Sequence, residues 1–251
     1  MTTPFLMVAP NGAMRGKADH PALPVTIPET VETARACFQA GADALHLHIR
    51  DDQGRHTLDP GRYHEALAEL ASVVPDMRVQ ITTEAAGLFN VPDQLRTLDK
   101  LRPNWASISI REINRTPDLA DRVYGTCAAN GTEVQHILYD ATDAARLADW
   151  QAHGIVRPGQ GSVLLVLGRY GQGQSSPAAL PDFLAALPPV SDWMLCAFGP
   201  TEHACLRDAA RLGGNLRVGF ENSLVSASGS LHHDNAASVA ALRAQLERKA
   251  A

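Results

Sequence analysis

Eight runs of strand length recur along this chain of 251 residues, each followed by a stretch with helical spacing or helix start and stop signals. The strand runs are 5–9, 43–50, 77–83, 105–110, 132–138, 162–168, 193–198 and 216–221. Helices are predicted over 28–40, 59–73, 91–101, 116–129, 140–152, 178–187, 201–212 and 234–249. Alternating strands and helices argue for an α/β fold with a parallel sheet, and a count of eight argues for closure into a (β/α)8 TIM barrel. Such a barrel needs roughly 250 residues, so one barrel domain over 1–251 is expected. The run 162–168 is apolar throughout, as a parallel strand covered on both faces should be. An open doubly wound sheet is the rival, but it calls for G-x-G-x-x-G after the first strand, where Pro10-Asn11-Gly12-Ala13 stands instead. Residues 12–27 lack periodicity and read as one long loop, of the kind that often carries function; 169–176 is a second, rich in Gly, Gln and Ser.

The second run contains Leu45-His46-Leu47-His48-Ile49-Arg50-Asp51. Side chains two apart on a strand share a face, so His46 and His48 aim two imidazoles at one point. That pattern suggests a metal site at the strand's carboxyl end; two hydrogen-bonded core histidines are the plainer reading. In barrels of this kind chemistry sits at the carboxyl ends of the strands. Polar residues collect there: Asn11 after the first run, Thr82, Thr83 and Glu84 closing the third, Ser107 and Ser109 on the fourth, Arg169 after the sixth. Arg217 and Glu221 lie on the eighth, with Asn222 next. Two histidines and one carboxylate leave an open position, the catalytic type of zinc site, and Glu221 is the best third ligand. His20, His136 and His203 are rival ligands, although His136 in the fifth strand reads as a packed core residue.

Net charge is −5 with both signs interspersed, which gives no electrostatic footprint for nucleic acid. An acidic coenzyme would need a local basic patch, for which Arg15, Lys17 and Arg169 are candidates. Cys37, Cys127, Cys196 and Cys205 form no close pair, so a thiolate zinc knuckle is not expected. Scattered cysteines, a start without a basic, apolar leader, and no run near the ~18 apolar residues of a membrane span point to a reducing cytoplasm and no membrane.

The chain resembles the β-keto acid cleavage enzymes, typified by 3-keto-5-aminohexanoate cleavage enzyme. The resemblance is carried, nearly end to end and in order, by Pro10-Asn11-Gly12-Ala13, Ala40-Gly41-Ala42 leading into the His46-Leu47-His48 run, Ile81-Thr82-Thr83, Ala106-Ser107-Ile108-Ser109, Val166-Leu167-Gly168-Arg169 and Arg217-Val218-Gly219-Phe220-Glu221-Asn222. It implies a zinc-dependent TIM barrel, usually a homotetramer, that converts a β-keto acid and acetyl-CoA into an acyl-CoA and acetoacetate. By the same resemblance His46, His48 and Glu221 match zinc ligands and Arg217 a catalytic arginine. Thr82, Thr83, Ser107 and Ser109 match positions holding the substrate carboxylate and its neighbours.

Two departures stand out. Family members carry Asp after the zinc-binding Glu for proton transfer, whereas Asn222 stands here and cannot act as a carboxylate base. Zinc-bound hydroxide, Glu84 and Glu133 are the substitute candidates. Members acting on amino-keto acids carry an acid in the first loop, whereas Met14 stands here, so the far end of the substrate is expected to be uncharged or apolar, with Glu84 able to receive a cation instead. Rival functions are an amidohydrolase-type hydrolase, disfavoured because the sixth and seventh runs lack histidine, an acyl-CoA lyase or aldolase, and a barrel that binds without turnover.

Overall fold

The computed structural model describes residues 3–169 and 175–247. Eight parallel strands close into a barrel: β1 (Leu6–Val8), β2 (Ala44–Leu47), β3 (Arg78–Thr82), β4 (Trp105–Ser109), β5 (Glu133–Leu138), β6 (Ser162–Leu167), β7 (Asp192–Ala197) and β8 (Asn215–Val218). Each strand pairs with its sequence neighbour, and β8 returns to β1. The helices are α1 (Ile27–Gln39), α2 (Pro60–Val73), α3 (Val91–Leu101), α4 (Ala120–Asn130), α5 (Ala141–Ala152), α6 (Leu180–Ala185), α7 (Glu202–Arg211) and α8 (Asn235–Glu247). This is the expected TIM barrel.

Local chemistry starts the helices where the sequence signals them. Thr26 and Glu29 form a capping box at α1, and Asn90 and Asp93 form one at α3, each satisfying two amides that the first turn leaves unpaired. Proline follows both caps, where a missing N–H costs nothing. Among the described residues no helix is long and apolar enough to cross a membrane.

One apolar cluster lies between the barrel and its helices, and a second, including Met7, Trp105, Leu164 and Met194, fills the barrel interior. The Arg78 guanidinium lies 4.6 Å from the Trp105 ring centroid and pairs with Glu133 at 2.9 Å. Arg78 and Glu133 open β3 and β5, so this layer closes the amino-terminal mouth.

Several boundaries differ from the sequence reading. Strand 43–50 is broken: β2 stops at Leu47, and Ile49–Arg50 pairs antiparallel with His56–Thr57 in a hairpin outside the barrel. Arg50 is drawn to the carbonyls of Gly12, Ala13 and Arg15 in the first loop, which turns the chain out of the sheet. The fourth strand ends at Ser109, and Ile110 opens a one-turn helix, Ile110–Ile113. Predicted helix 116–129 begins as a 3-10 turn at Pro117–Leu119, and 178–187 begins as another at Pro177–Ala179. The eighth strand stops at Val218, before Glu221, because Gly219 takes a φ of +139°. The middle of loop 169–176 and the end of helix 234–249 lie outside the described residues.

Candidate metal centre

His46, near the carboxyl end of β2, points into the barrel, and His48 follows just past the strand. Their Nε2 atoms are 3.1 Å apart. Glu221 Oε2 lies 3.7 Å from His46 Nε2 and 3.4 Å from His48 Nε2. All three side chains are buried. Donors on one tetrahedral ion at about 2.1 Å stand a little over 3 Å apart, so this triangle has the edges a zinc-sized ion requires. Glu221 Oε2 is a buried acceptor with no hydrogen-bond partner, which an ion would supply.

Glu221 reaches this place through a turn that only glycine allows. A Cβ at Gly219 would stand 2.5 Å from the Ala9 carbonyl oxygen. The Gly219 amide donates to Glu202 Oε1 at 3.1 Å, and the Phe220 amide to Asn235 Oδ1 at 2.9 Å. The Glu221 amide itself donates to the Ala9 carbonyl at 3.0 Å. Arg217, on β8, donates from Nη2 to Glu221 Oε1 at 2.9 Å and to Cys196 Sγ at 3.3 Å.

The electrostatics favour a metal. Burial, helped by the Arg217 charge, pushes His46 down to about 3, and burial pushes His48 down as well, so both rings are neutral and free to ligate at neutral pH. Burial alone would push Glu221 up, but Arg217 and the two histidines hold it well below the usual carboxylate range. Burial, Glu221 and Glu112 raise Glu84 to about 8.

A cavity of about 250 Å³ opens beside this triangle. Its polar wall carries His46, Thr82, Glu84, Ser109, Arg217 and Glu221, and its apolar wall Ile137, Tyr139, Val166 and Phe198. Arg169 stands at its edge, 3.8 Å from Asp140. The volume falls below the roughly 300–1,000 Å³ of sites for drug-sized ligands, so it suits a small ligand.

The other predicted residues divide. Thr82 Oγ1 accepts from the Glu84 amide at 3.0 Å, which leaves its hydrogen available to the cavity. Ser109 Oγ is buried without a partner on the cavity wall. Ser107 Oγ is likewise unpartnered, one layer deeper, whereas Thr83 Oγ1 donates to the Ser107 carbonyl at 2.9 Å and faces away from the cavity. Asn11 donates from Nδ2 to the carbonyls of Pro24 (3.1 Å) and His48 (3.4 Å), holding the metal loop rather than the cavity wall. Met14 is 67% exposed and outside the wall. Asn222 is fully buried behind Glu221 with both side-chain polar atoms unpartnered. Of the rival ligands, His20 Nε2 meets the His232 carbonyl (3.0 Å), His136 Nε2 the Gln160 carbonyl (2.8 Å) and His203 Nε2 Ser238 Oγ (3.0 Å). None joins the triangle. Glu133 stands at the opposite mouth, paired with Arg78. Lys17 pairs with Glu29 at 2.8 Å, and Arg15 donates to the Phe220 carbonyl.

Sequence reasoning missed Gln80 and Gln135, which lie buried below His46, His56, whose ring lies 5.3 Å from that of His48, and Tyr139 on the cavity wall. The signal for Gln80 was its parity: it sits two residues before Thr82 and so faces the same way.

A closed parallel barrel with two histidines, one glutamate and a buried arginine at its carboxyl end defines a TIM-barrel enzyme with a candidate metal centre. The sequence profile of the β-keto acid cleavage enzymes matches residues 4–250. The chain therefore belongs to the β-keto acid cleavage enzyme family. It is 27% identical over 258 residues to the 3-oxoadipate:acetyl-CoA acetyltransferase of Cupriavidus necator, covering 98% of this chain and 90% of that protein. It is 25% identical over 246 residues to the 3-keto-5-aminohexanoate cleavage enzyme of Fusobacterium nucleatum, covering 89% of this chain and 84% of that protein. Among solved structures, apo ObcA superposes with a TM-score of 0.65 at 17% identity, covering 92% of this chain and 63% of ObcA. The chain thus spans less than two thirds of ObcA, and that likeness speaks to the fold alone.

Proposed function

We propose that this protein cleaves a β-keto acid in exchange with acetyl-CoA, giving an acyl-CoA and acetoacetate, and that zinc held by His46, His48 and Glu221 is its cofactor. The observation that carries the reading is the unpartnered Glu221 Oε2 facing two neutral imidazoles beside a cavity sized for a small ligand. A divalent ion there supplies Lewis acidity, which makes the carbon between ketone and carboxylate acidic.

The chain's own residues do the rest. Thr82 and Ser109 offer hydroxyl hydrogens to the substrate carboxylate, with Ser107 behind them and Thr83 bracing the strand end. Arg217, held between Glu221 and Cys196, presents positive charge where the anionic intermediates form. In the exchange the substrate's carbon between ketone and carboxylate bonds to the acetyl carbonyl carbon as the acetyl–sulfur bond breaks and the coenzyme leaves as its thiolate. That thiolate then adds to the old ketone carbon, whose bond to the central carbon breaks, so the acyl group leaves on the coenzyme sulfur and the central carbon, taking back a proton, remains in acetoacetate. Glu84 is the carboxyl on the cavity wall able to take and return the proton, since Asn222 has no basic oxygen of that strength and Glu133 is at the far mouth. Ile137, Val166 and Phe198 receive an uncharged tail. The coenzyme lies outside the cavity, near Arg169.

The same reading has the chain folding as one domain over 1–251 and working as a homotetramer in the cytoplasm; four buried free cysteines suit a reducing compartment. A coupled assay that follows acetoacetate formation from acetyl-CoA and a panel of short β-keto acids, on zinc-loaded protein, tests the reaction. Turnover dependent on both substrates supports it; hydrolysis without acyl exchange overturns it.

A further inference from the structure

A column of polar side chains runs down the barrel interior from the metal centre. His46 Nδ1 lies 2.8 Å from Gln80 Oε1, Gln80 Nε2 donates to Gln135 Oε1 at 3.0 Å, and Gln135 Nε2 faces Met194 Sδ at 4.0 Å. Gln80 and Gln135 are fully buried and Met194 nearly so.

Each carboxamide has a donor end and an acceptor end, so turning one over turns its neighbour over. Met194 breaks the symmetry, because a thioether can only accept. Its sulfur therefore faces the NH2 of Gln135, whose carbonyl must then face Gln80. Gln80 gives that carbonyl its NH2 and turns its own carbonyl to His46. His46 has to donate from Nδ1, which leaves Nε2 bare and aimed at His48 and Glu221. The reversed column would set a carbonyl against sulfur with no hydrogen between them and put the His46 hydrogen on the ligating nitrogen. His48 has no such brace, as its Nδ1 is buried and unpartnered.

We propose that Gln80, Gln135 and Met194 are positioning residues for the metal centre: a relay whose direction is set by Met194 holds His46 in the Nδ1–H tautomer before the ion arrives. This rests on the metal reading above.

The test titrates Zn2+ into the full-length chain against a chelating dye and reads the His46 tautomer in the zinc-free chain by 15N NMR. The parent should bind one zinc and show a bare Nε2 on His46. Gln80→Leu should weaken zinc binding about 10–100-fold and mix the tautomers. Gln80→Glu should restore both, since its carboxylate accepts the same proton while Gln135 turns over to donate to it. Met194→Leu, three hydrogen bonds removed from His46, should mix the tautomers with a smaller loss of affinity, and it carries the test if Gln80→Leu does not fold. Parent-like zinc affinity and tautomer in the folded Leu variants, or an Nε2–H tautomer in the parent, overturns the relay alone. A parent that takes up no zinc overturns the metal reading and the relay with it.

Discussion

Arg217 and Glu221 divide one carboxylate between two tasks: the guanidinium holds Oε1 at 2.9 Å, while Oε2 faces the two histidine Nε2 atoms at 3.7 and 3.4 Å. The ion pair is buried, so removing one partner strands the other charge. Arg217→Met should destabilise the zinc-free protein by about 3–5 kcal/mol, with zinc restoring part of that, and should lower kcat by ~100-fold or more. Urea unfolding with and without zinc, beside steady-state rates, checks this. Equal stability of variant and parent without zinc would contradict the pairing.

Gly219 sets where Glu221 points. Its φ of +139° disfavours a side chain, and a Cβ would meet the Ala9 carbonyl oxygen at 2.5 Å. Gly219→Ala should cost about 1–3 kcal/mol of stability and reduce zinc affinity by displacing Glu221. Calorimetric zinc titration of the folded variant measures the second effect, and parent-like affinity would show that the turn does not place the ligand.

Acidification should weaken the fold through histidines remote from the cavity. Burial pushes His136 down to about 4, against 6.5 when unfolded. As pH falls below about 6.5 the unfolded chain takes up this proton while the folded chain does not. Stability should therefore decline from pH 6.5 to pH 4, by as much as ~3 kcal/mol from this residue, and flatten below that. His136→Gln, which keeps a donor for the Gln160 carbonyl, should lose less stability between pH 7 and pH 4.5. An unchanged pH slope in urea titrations would remove His136 from the account.

The cavity wall predicts the substrate's tail. Ile137, Val166 and Phe198 give a cation no counter-charge, and Glu84 stands 3.8 Å from His48 Nε2, beside the metal triangle rather than among them. Keto acids with short neutral tails should exceed ammonium-tailed analogues of equal length in kcat/KM by about tenfold or more, the equivalent of ~1.4 kcal/mol. A preference for the ammonium tail would assign Glu84 to cation binding instead.

The barrel was legible because each strand and each helix carries its own local signal. The triangle was legible because His46 and His48 share a motif and Glu221 ends the last strand run. Its geometry was not. The sequence reading drew 43–50 as one strand, yet His48 lies past the end of β2 because Arg50 is bound by loop carbonyls some 35 residues earlier in the chain. No local pattern carries that pull. Glu221 read as a strand residue, but the positive φ of Gly219 lifts it onto a turn. Gln80 and Gln135 alternate with apolar neighbours, the pattern of a solvent-facing side, whereas a closed barrel turns that side inward. Ile110 continued an apolar run and gave no sign of the one-turn helix it opens.

The central claim is one divalent ion held by three side chains. Anomalous diffraction at the zinc edge, from crystals of the full chain grown with zinc, measures it directly. The account predicts a single strong peak about 2.0–2.2 Å from His46 Nε2, His48 Nε2 and Glu221 Oε2, with open coordination toward the cavity. A chain replete with zinc in which Glu221 turns away from both histidines, or the peak lies elsewhere, would contradict it.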